Sequence, residues 1–396
     1  MLALETARER LLSALVALPA EPVPVAAADG RVAAADVASP RDLPPFDNSA
    51  MDGYAVRAAD TATVPVPLRV VGRAAAGVGF AGIVGPGGCV RVFTGAPMPV
   101  GTDAVVMQED VDVDPADPTR VVVREGVKPW EDVRFRGEDV RRGARIVAAG
   151  TVLGPQQIAL LGAAGFAEVT VHRAPRVVIL ANGSELRPPG APLGPGEIHE
   201  SNTAMLAALV RRAGGVPVAA RCVPDDAEVL RSALAGAFAV ADVVVTVGGA
   251  SVGEHDLVKA EFTALGGELE FWRLALRPGK PFFFGLHEGK FLFGLPGNPV
   301  SAFVTSVLLV LPALRRLQGI AAPGPPSTPG RLEGPLSNPD GRRHFVRVAT
   351  DADGTVRTSG AQASHLLGSL AAADGLVDVP PRTTLAAGSA VRVIRW

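Results

Sequence analysis

From Pro175 onward the sequence alternates short β-branched runs with longer amphipathic ones: "RVVIL", "SNTAMLAALVRRAGG", "VPVAARCV", "DDAEVLRSALAGAF", "ADVVVTVGG" and "HDLVKAEFTALGG". This strand, loop, helix rhythm permits few architectures. Alternation at these lengths implies a parallel sheet flanked by helices, with ligands received at the carboxyl ends of the strands.

The flanking sequence has a different texture. Between about Glu21 and Val171 lie short runs such as "LRVVG", "CVRVFTG", "DAVVMQEDVDV" and "TRVVVREGV", each bounded by Gly, Pro or Asp, as in an all-β region. One helix is predicted within it, "GPQQIALLGAAG", with Pro155 in the first turn and Gly165 at the end. After about Pro326 short strands return in "RRHFVRVAT", "GTVRTSG" and "SAVRVIRW", and "AAPGPPSTPG" reads as a linker. A chain of 396 residues is too long for one core. The fold class expected is therefore α/β plus β in several domains: a central parallel-sheet α/β domain, a β-rich amino-terminal region and a small carboxy-terminal β domain. The boundaries expected are 1–45 with 138–174, 46–137, 175–322 and 323–396.

Gly 45 and Pro 35 are scattered rather than clustered, which fits many short turns and not disorder. A net charge of -2 gives no broad electrostatic reason to expect nucleic acid or an anionic membrane as partner. Cys89 and Cys222 have neither disulfide-framework nor metal-ligand spacing, so a reducing cytoplasmic setting is expected. "MLALETARERLLSALVAL" carries Glu5, Arg8, Glu9 and Arg10 where a secretory signal would be apolar, and predicts an amphipathic helix. The longest apolar stretch, from Val300 to Leu314, falls short of the ~20 residues that span a bilayer and reads as a buried helix.

Four stretches carry candidate chemistry. In "VVVTVGGASVGEHD" a strand runs into Gly248, Gly249, Ala250 and Ser251, where a tight turn offers N–H groups and a hydroxyl to an anion, with Gly253 two residues on. Glu254 and Asp256 follow, and carboxylates beside an anion cradle imply a hard cation such as Mg²⁺ between them. "RLALRPGKPFFFG" brings Arg273, Arg277 and Lys280 together on a turn, and "FGLPGNPVSAF" places Pro296, Gly297, Asn298 and Ser301 where a strand gives way to a helix amino terminus, which favours an oxyanion. In "PPFDNSAMDGYAV", residues 44–56, Asp47, Asn48 and Asp52 crowd a segment rich in turn-formers, a pattern suited to a surface turn or to a cation or phosphate site.

"FDNSAMDGYAV", "TGAPMPVGTDAVV", "RFRGEDV", "GGASVGEHD", "RPGKP", "LPGNPVSA" and "GAQASH" occur in the order found in the molybdopterin molybdenumtransferases, the MoeA family, related to the carboxy-terminal domain of gephyrin. The resemblance covers essentially the whole chain. It implies an elongated, cytoplasmic homodimer that takes adenylylated molybdopterin and molybdate, inserts molybdenum and releases AMP in a Mg²⁺-dependent step. It also implies an upstream adenylyltransferase and downstream molybdoenzymes as partners, and an active site at the subunit interface between the α/β domain of one subunit and the "SAMDGYA" domain of the other. Two alternatives are a molybdopterin adenylyltransferase and a non-catalytic gephyrin-like scaffold.

Carried over by position, Asp52, Glu185, Asp225 and Asp256 match the family's acidic site residues, with Glu185 and Asp256 as the expected metal ligands. Four carboxylates from separate segments make sense together if they hold Mg²⁺ or hydrogen-bond a polyhydroxylated ligand. Thr94, Arg347 and Ser364 match further positions, Arg347 as a candidate oxyanion clamp. Asp226 is read as a helix N-cap, and Arg136 with Asp139 as a structural ion pair or hinge contact. Arg273 and Arg277 stand where relatives often have lysine, and His199 and Glu200 where relatives tend to have an aromatic residue and Asp. His199 is expected to be a solvated loop residue.

Overall fold

The structure, a computed structural model of the chain, describes residues 1–249 and 257–396. The central unit contains β1 (Arg176–Asn182), α1 (Asn202–Arg212), β2 (Val216–Val223), α2 (Ala227–Val240), β3 (Val243–Val247), α3 (Leu257–Ala264), β4 (Glu268–Trp272), β5 (Phe283–His287) and β6 (Lys290–Leu295). Its strands lie in the order β2-β1-β3-β6-β5-β4. β2, β1, β3 and β6 are parallel, as expected. β5 runs antiparallel to both neighbours, so the sheet is mixed. The cause is a two-residue hairpin between β5 and β6, in which Glu288 and Gly289 have φ of 49° and 74° and give the turn whose twist matches the strands.

Alternation along β1 divides the apolar core. Val177, Ile179 and Ala181 face one layer, while Val178 and Leu180 face the other with α2 and α3. The first layer holds the long apolar helix, which runs from Pro299 to Leu317 with a π turn over Ser306–Val310. At 19 residues it is long and apolar enough to cross a membrane, yet 89 % of it is buried inside the protein, as expected of a core helix. The predicted amino-terminal helix forms over Leu4–Ser13 and adds Leu4, Ala7 and Leu11 to this same layer.

Strand Ala20–Pro24 pairs with Glu168–His172, beside the predicted helix Pro155–Ala164, which ends at Gly165 in the left-handed region. The β-rich unit is a six-stranded sheet ordered Ala104–Met107, Gly53–Val56, Gly88–Val92, Val66–Ala74, Arg120–Val123 and Val111–Val113. Two chain crossings join these units, and Arg136 is tied there to Asp42 at 2.6 Å. The structural ion pair expected of Arg136 therefore exists with Asp42 and not with Asp139, whose backbone N–H donates to the Leu43 carbonyl at 3.1 Å.

In the carboxy-terminal unit, strands Arg343–Thr350, Thr355–Thr358, Ser327–Leu332, Ala390–Ile394 and Gly375–Val379 close into a ring, the last pairing back onto the first. Part of the expected linker belongs to this ring, because Ser327–Leu332 pairs with Ala390–Ile394 despite Pro329. Leu276–Arg277, from the central unit, adds to Arg343–His344 as a parallel strand.

Candidate active site

β1, β2, β3 and β6 end on one edge of the central sheet, and pairing of Trp272 with Phe283 and of Phe283 with Gly294 brings the start of β5 to that edge too. Topology thus gathers Asp225, Glu185, Gly248 with Gly249, Gly297 with Asn298, and the 273–282 segment along one rim. The chain leaves β1 first to one side and then to the other, so a switch point lies between β1 and β3. A cleft of about 670 Å³ opens there, lined by Glu185, Asp225, Gly248, Gly249, Gly297 and Asn298. Glu200 and Asn202 add to the lining, and the carboxy-terminal ring closes one side with His365 and Leu367.

Close approach explains the glycine pair. Gly248 has φ of 89° and Gly249 of 66°, and a Cβ on Gly248 would sit 2.2 Å from the Asn182 carbonyl oxygen. Only glycine lets β3 turn this tightly against the end of β1. Asp225 is held from both sides: the Asn182 side-chain amide donates to one carboxylate oxygen and the Ser184 N–H to the other at 3.0 Å. Its neighbour Asp226 caps α2 by accepting from the Val229 N–H at 2.9 Å, as expected. Glu185 is exposed at the rim, and its carboxylate has no protein partner among the described residues. Asn182 and Asn202 spread their side-chain N–H groups to Asp225 and to the Gly297 carbonyl, and leave both Oδ1 atoms buried without a partner among the described residues.

Glu200 and His199 have separate local roles. Glu200 is 5 % exposed and accepts from the N–H groups of Asn202 and Thr203, so it caps α1. His199, expected to be a solvated loop residue, is exposed but lies on the short strand Ile198–His199 and lines the cleft, with its Nε2 2.9 Å from the Ala191 carbonyl oxygen.

Ser251, Gly253, Glu254 and Asp256 fall outside the described residues, and several other expected site residues lie away from the cleft. Pro296 and Ser301 are buried and do not line the cleft, because Ser301 lies one turn inside the helix with its carbonyl taken by the Thr305 hydroxyl. The helix amino terminus is partly occupied too: Val300 donates its N–H to the Ser364 carbonyl at 3.2 Å, and the Asn298 side chain makes no cap. Ser364 thus meets the rim through its backbone, and delivers His365 to the cleft.

Arg273, Arg277 and Lys280 share the rim segment but do not line the cleft. Arg273 lies over the Trp272 ring at 3.8 Å, with φ of 64°. Arg277 is carried onto the carboxy-terminal ring by its strand pairing and forms an ion pair with Asp340 at 2.7 Å. Arg347 is fully buried and not a surface clamp: it donates to the Ala361 and Ala363 carbonyls and to the Ser369 hydroxyl, bracing the loop that carries Ser364 and His365. Burial pushes its guanidinium below its ordinary range.

Asp52 and Thr94 do meet each other. The Thr94 N–H and hydroxyl each donate to Asp52 Oδ1 at 2.8 Å, which with nearby Arg91 holds the carboxyl below its usual range. They sit in the β-rich unit and do not line this chain's cleft. Sequence reasoning missed Asn182, Asn202 and Leu367 as lining residues; Asn202 lay at the start of the predicted helical run "SNTAMLAALVRRAGG".

Comparisons with known proteins agree along the chain. Residues 2–165 match the MoeA N-terminal region (domain I and II), 178–316 a probable molybdopterin binding domain, and 329–396 the MoeA C-terminal region (domain IV). These matches and the cleft define a multidomain protein of MoeA architecture. The chain is 40% identical over 384 residues to molybdopterin molybdenumtransferase 2 of Mycobacterium tuberculosis, covering 94% of each. It is 37% identical over 379 residues to the molybdopterin molybdenumtransferase of Haemophilus influenzae, covering 92% of this chain and 91% of that one. The crystal structure of a molybdopterin biosynthesis MoeA protein from Pyrococcus horikosii superposes with a TM-score of 0.85 at 34% identity, covering 100% of this chain and 99% of the other. The chain belongs to the MoeA family of molybdopterin molybdenumtransferases, transferases of molybdenum cofactor biosynthesis.

Proposed function

We propose that the chain inserts molybdenum from molybdate into adenylylated molybdopterin and releases AMP, acting in the cytosol as a homodimer. The observation that carries this reading is the composition of one rim. Carboxylates Glu185 and Asp225 stand at one side of the switch point, the glycine turn in the middle, and the cationic 273–280 segment beyond β6. At roughly 4.8 Å per strand, the three steps from β1 to β5 make about 14 Å. A ligand touching both ends is long and has two unlike halves, as a pterin joined to a nucleotide through phosphates does.

Each group has a task in this scheme. The Gly249 N–H receives a phosphoryl oxygen, since that of Gly248 donates to the Leu295 carbonyl at 3.3 Å. Asp225 keeps free lone pairs on both fixed oxygens and accepts from ligand hydroxyls or amines. Arg273 and Lys280 offset charge that develops on the phosphoryl oxygens as AMP leaves, with Arg277 shared with Asp340. Positioning and electrostatics supply the rate. Among the described residues no three His, Cys, Asp or Glu side chains gather to hold a metal ion. Mg²⁺ still fits, because its sites use one or two carboxylates with substrate oxygens completing the shell, and Glu185 offers an unengaged carboxylate. Glu185 would hold the ion, with Asp256 as the second candidate; when bound, Mg²⁺ supplies positive charge next to the phosphates.

Asp52 and Thr94 enter from a partner subunit in this reading, and the domain boundaries given above separate the two halves of the shared site. Asp52→Asn tests it through molybdate-dependent AMP release. A fall of about 100-fold in kcat is expected; the wild-type rate would remove Asp52 from the reaction. AMP transfer from ATP onto molybdopterin by the unmodified protein would favour an adenylyltransferase instead.

A further inference from the structure

Asp52 sits on a turn whose geometry is held by one side chain of the strand Gly88–Val92, Arg91. Its backbone carbonyl accepts from the Gln108 N–H at 3.1 Å, while its carboxylate accepts twice from Thr94. Arg91 joins these contacts from beneath. Its Nη1 donates to the Gly53 carbonyl at 3.0 Å and its Nη2 to Gln108 Oε1 at 2.5 Å. Its guanidinium carbon lies 5.1 Å from the Tyr54 ring centre and 4.8 Å from that of Phe93. Register explains the arrangement, because Tyr54 and Arg73 are the cross-strand neighbours of Arg91 on either side. Arg73 lies over Phe93 at 4.5 Å but has no hydrogen bond to the turn among the described residues.

The contacts form a closed circuit from Asp52 through Gln108 and Arg91 to Gly53 and back. Gly53 is packed so closely on the neighbouring strand that a Cβ there would lie 2.0 Å from the Val106 carbonyl oxygen. Only a planar fork can donate in two directions while its faces rest near aromatic rings; a lysine supplies the charge without the fork. We infer that Arg91 is a positioning residue for the reaction, locking the 52–53 turn so that the Asp52 carboxylate is presented in one orientation. The inference rests on the role given to Asp52 above, and extends it to a residue that touches no substrate.

The test compares Arg91→Gln, Arg91→Lys and, as a control on the same sheet face, Arg73→Gln in the full chain. The readouts are AMP-release kinetics and amide hydrogen exchange at Thr94 and Gln108, the two N–H donors to Asp52. R91Q is expected to exchange faster at both amides and to lose about tenfold or more in kcat with KM within about twofold. R91K should recover part of the loss, and R73Q should match the unmodified protein. Should R91Q not fold, Gln108→Leu breaks the same circuit from its other end. Unchanged exchange in R91Q overturns the inference, as does faster exchange with unchanged kcat when Asp52→Asn is inactive. A fully active Asp52→Asn instead removes Asp52 from the proposed function, and the exchange result alone then decides what Arg91 holds.

Discussion

His344 lies where the central unit and the carboxy-terminal ring share a strand pair, opposite Arg277 in the ladder. It is 6 % exposed, and neither ring nitrogen has a hydrogen-bond partner. Burial pushes its pKa from 6.5 down to about 4, helped by Arg277, Arg347 and Arg342 and opposed by Asp340. The folded protein therefore keeps this imidazole neutral at pH values where the unfolded chain has begun to protonate it. Between pH 6.5 and about 4 the unfolded state binds more protons, so stability falls as pH drops through that window. At about 1.4 kcal/mol per pH unit, the interval from 6.5 to about 4 amounts to about 3 kcal/mol, fully lost below the lower value. His344→Leu removes the titration and should flatten the acid limb by about that amount. A chain of several domains does not unfold in one step, so the assay is amide exchange in strand Arg343–Thr350, measured from neutral pH to about pH 4. Equal pH slopes in the substituted and unmodified proteins would refute the argument.

Two further outcomes follow from the site and from the cysteines. Gly248→Ala forces a side chain into the left-handed region and to within 2.2 Å of the Asn182 carbonyl oxygen, and should cost about 2 kcal/mol or more, read as faster amide exchange in β3; Gly297→Ala, whose Cβ would meet Gly248 at 3.4 Å, should cost much less. The thiol of Cys89 is buried and pushed up to about 12, whereas Cys222 is exposed, so iodoacetamide near neutral pH should alkylate Cys222 alone in the native protein. Rapid labelling of Cys89 would contradict the packing of the β-rich sheet.

The sequence showed what periodicity and turn chemistry determine locally. Alternating β-branched runs marked β1, β2 and β3, and the Gly-Gly turn, the Pro155 helix and the Asp226 cap stood where their residue types suggested. Orientation was less accessible. The antiparallel β5 depends on a two-residue turn at Glu288 and Gly289 that no hydrophobic pattern announces. Long-range pairing was the hardest to read: Arg277 looked like a free cation until its strand met Asp340 on the ring, and Arg347 looked like a clamp although its N–H groups go to Ala361, Ala363 and Ser369. Charge type is visible in a sequence, while the partner that neutralises it is set by register between segments far apart along the chain.

The two-residue ladder between Leu276–Arg277 and Arg343–His344 has a mechanical meaning. One wall of the cleft grows from the sheet rim, and the other is the 365–367 loop, which Arg347 braces to the same strand that receives this ladder. Both walls are thereby riveted to one shared seam. Any widening of the cleft that swings the ring outward must first shear that seam, with the Arg277–Asp340 pair and the dry imidazole of His344 inside it. This seam, outside the cleft, joins the Val300–Ser364 hydrogen bond in holding the two walls together, and changes in it should alter how readily ligands enter without touching any group that contacts them.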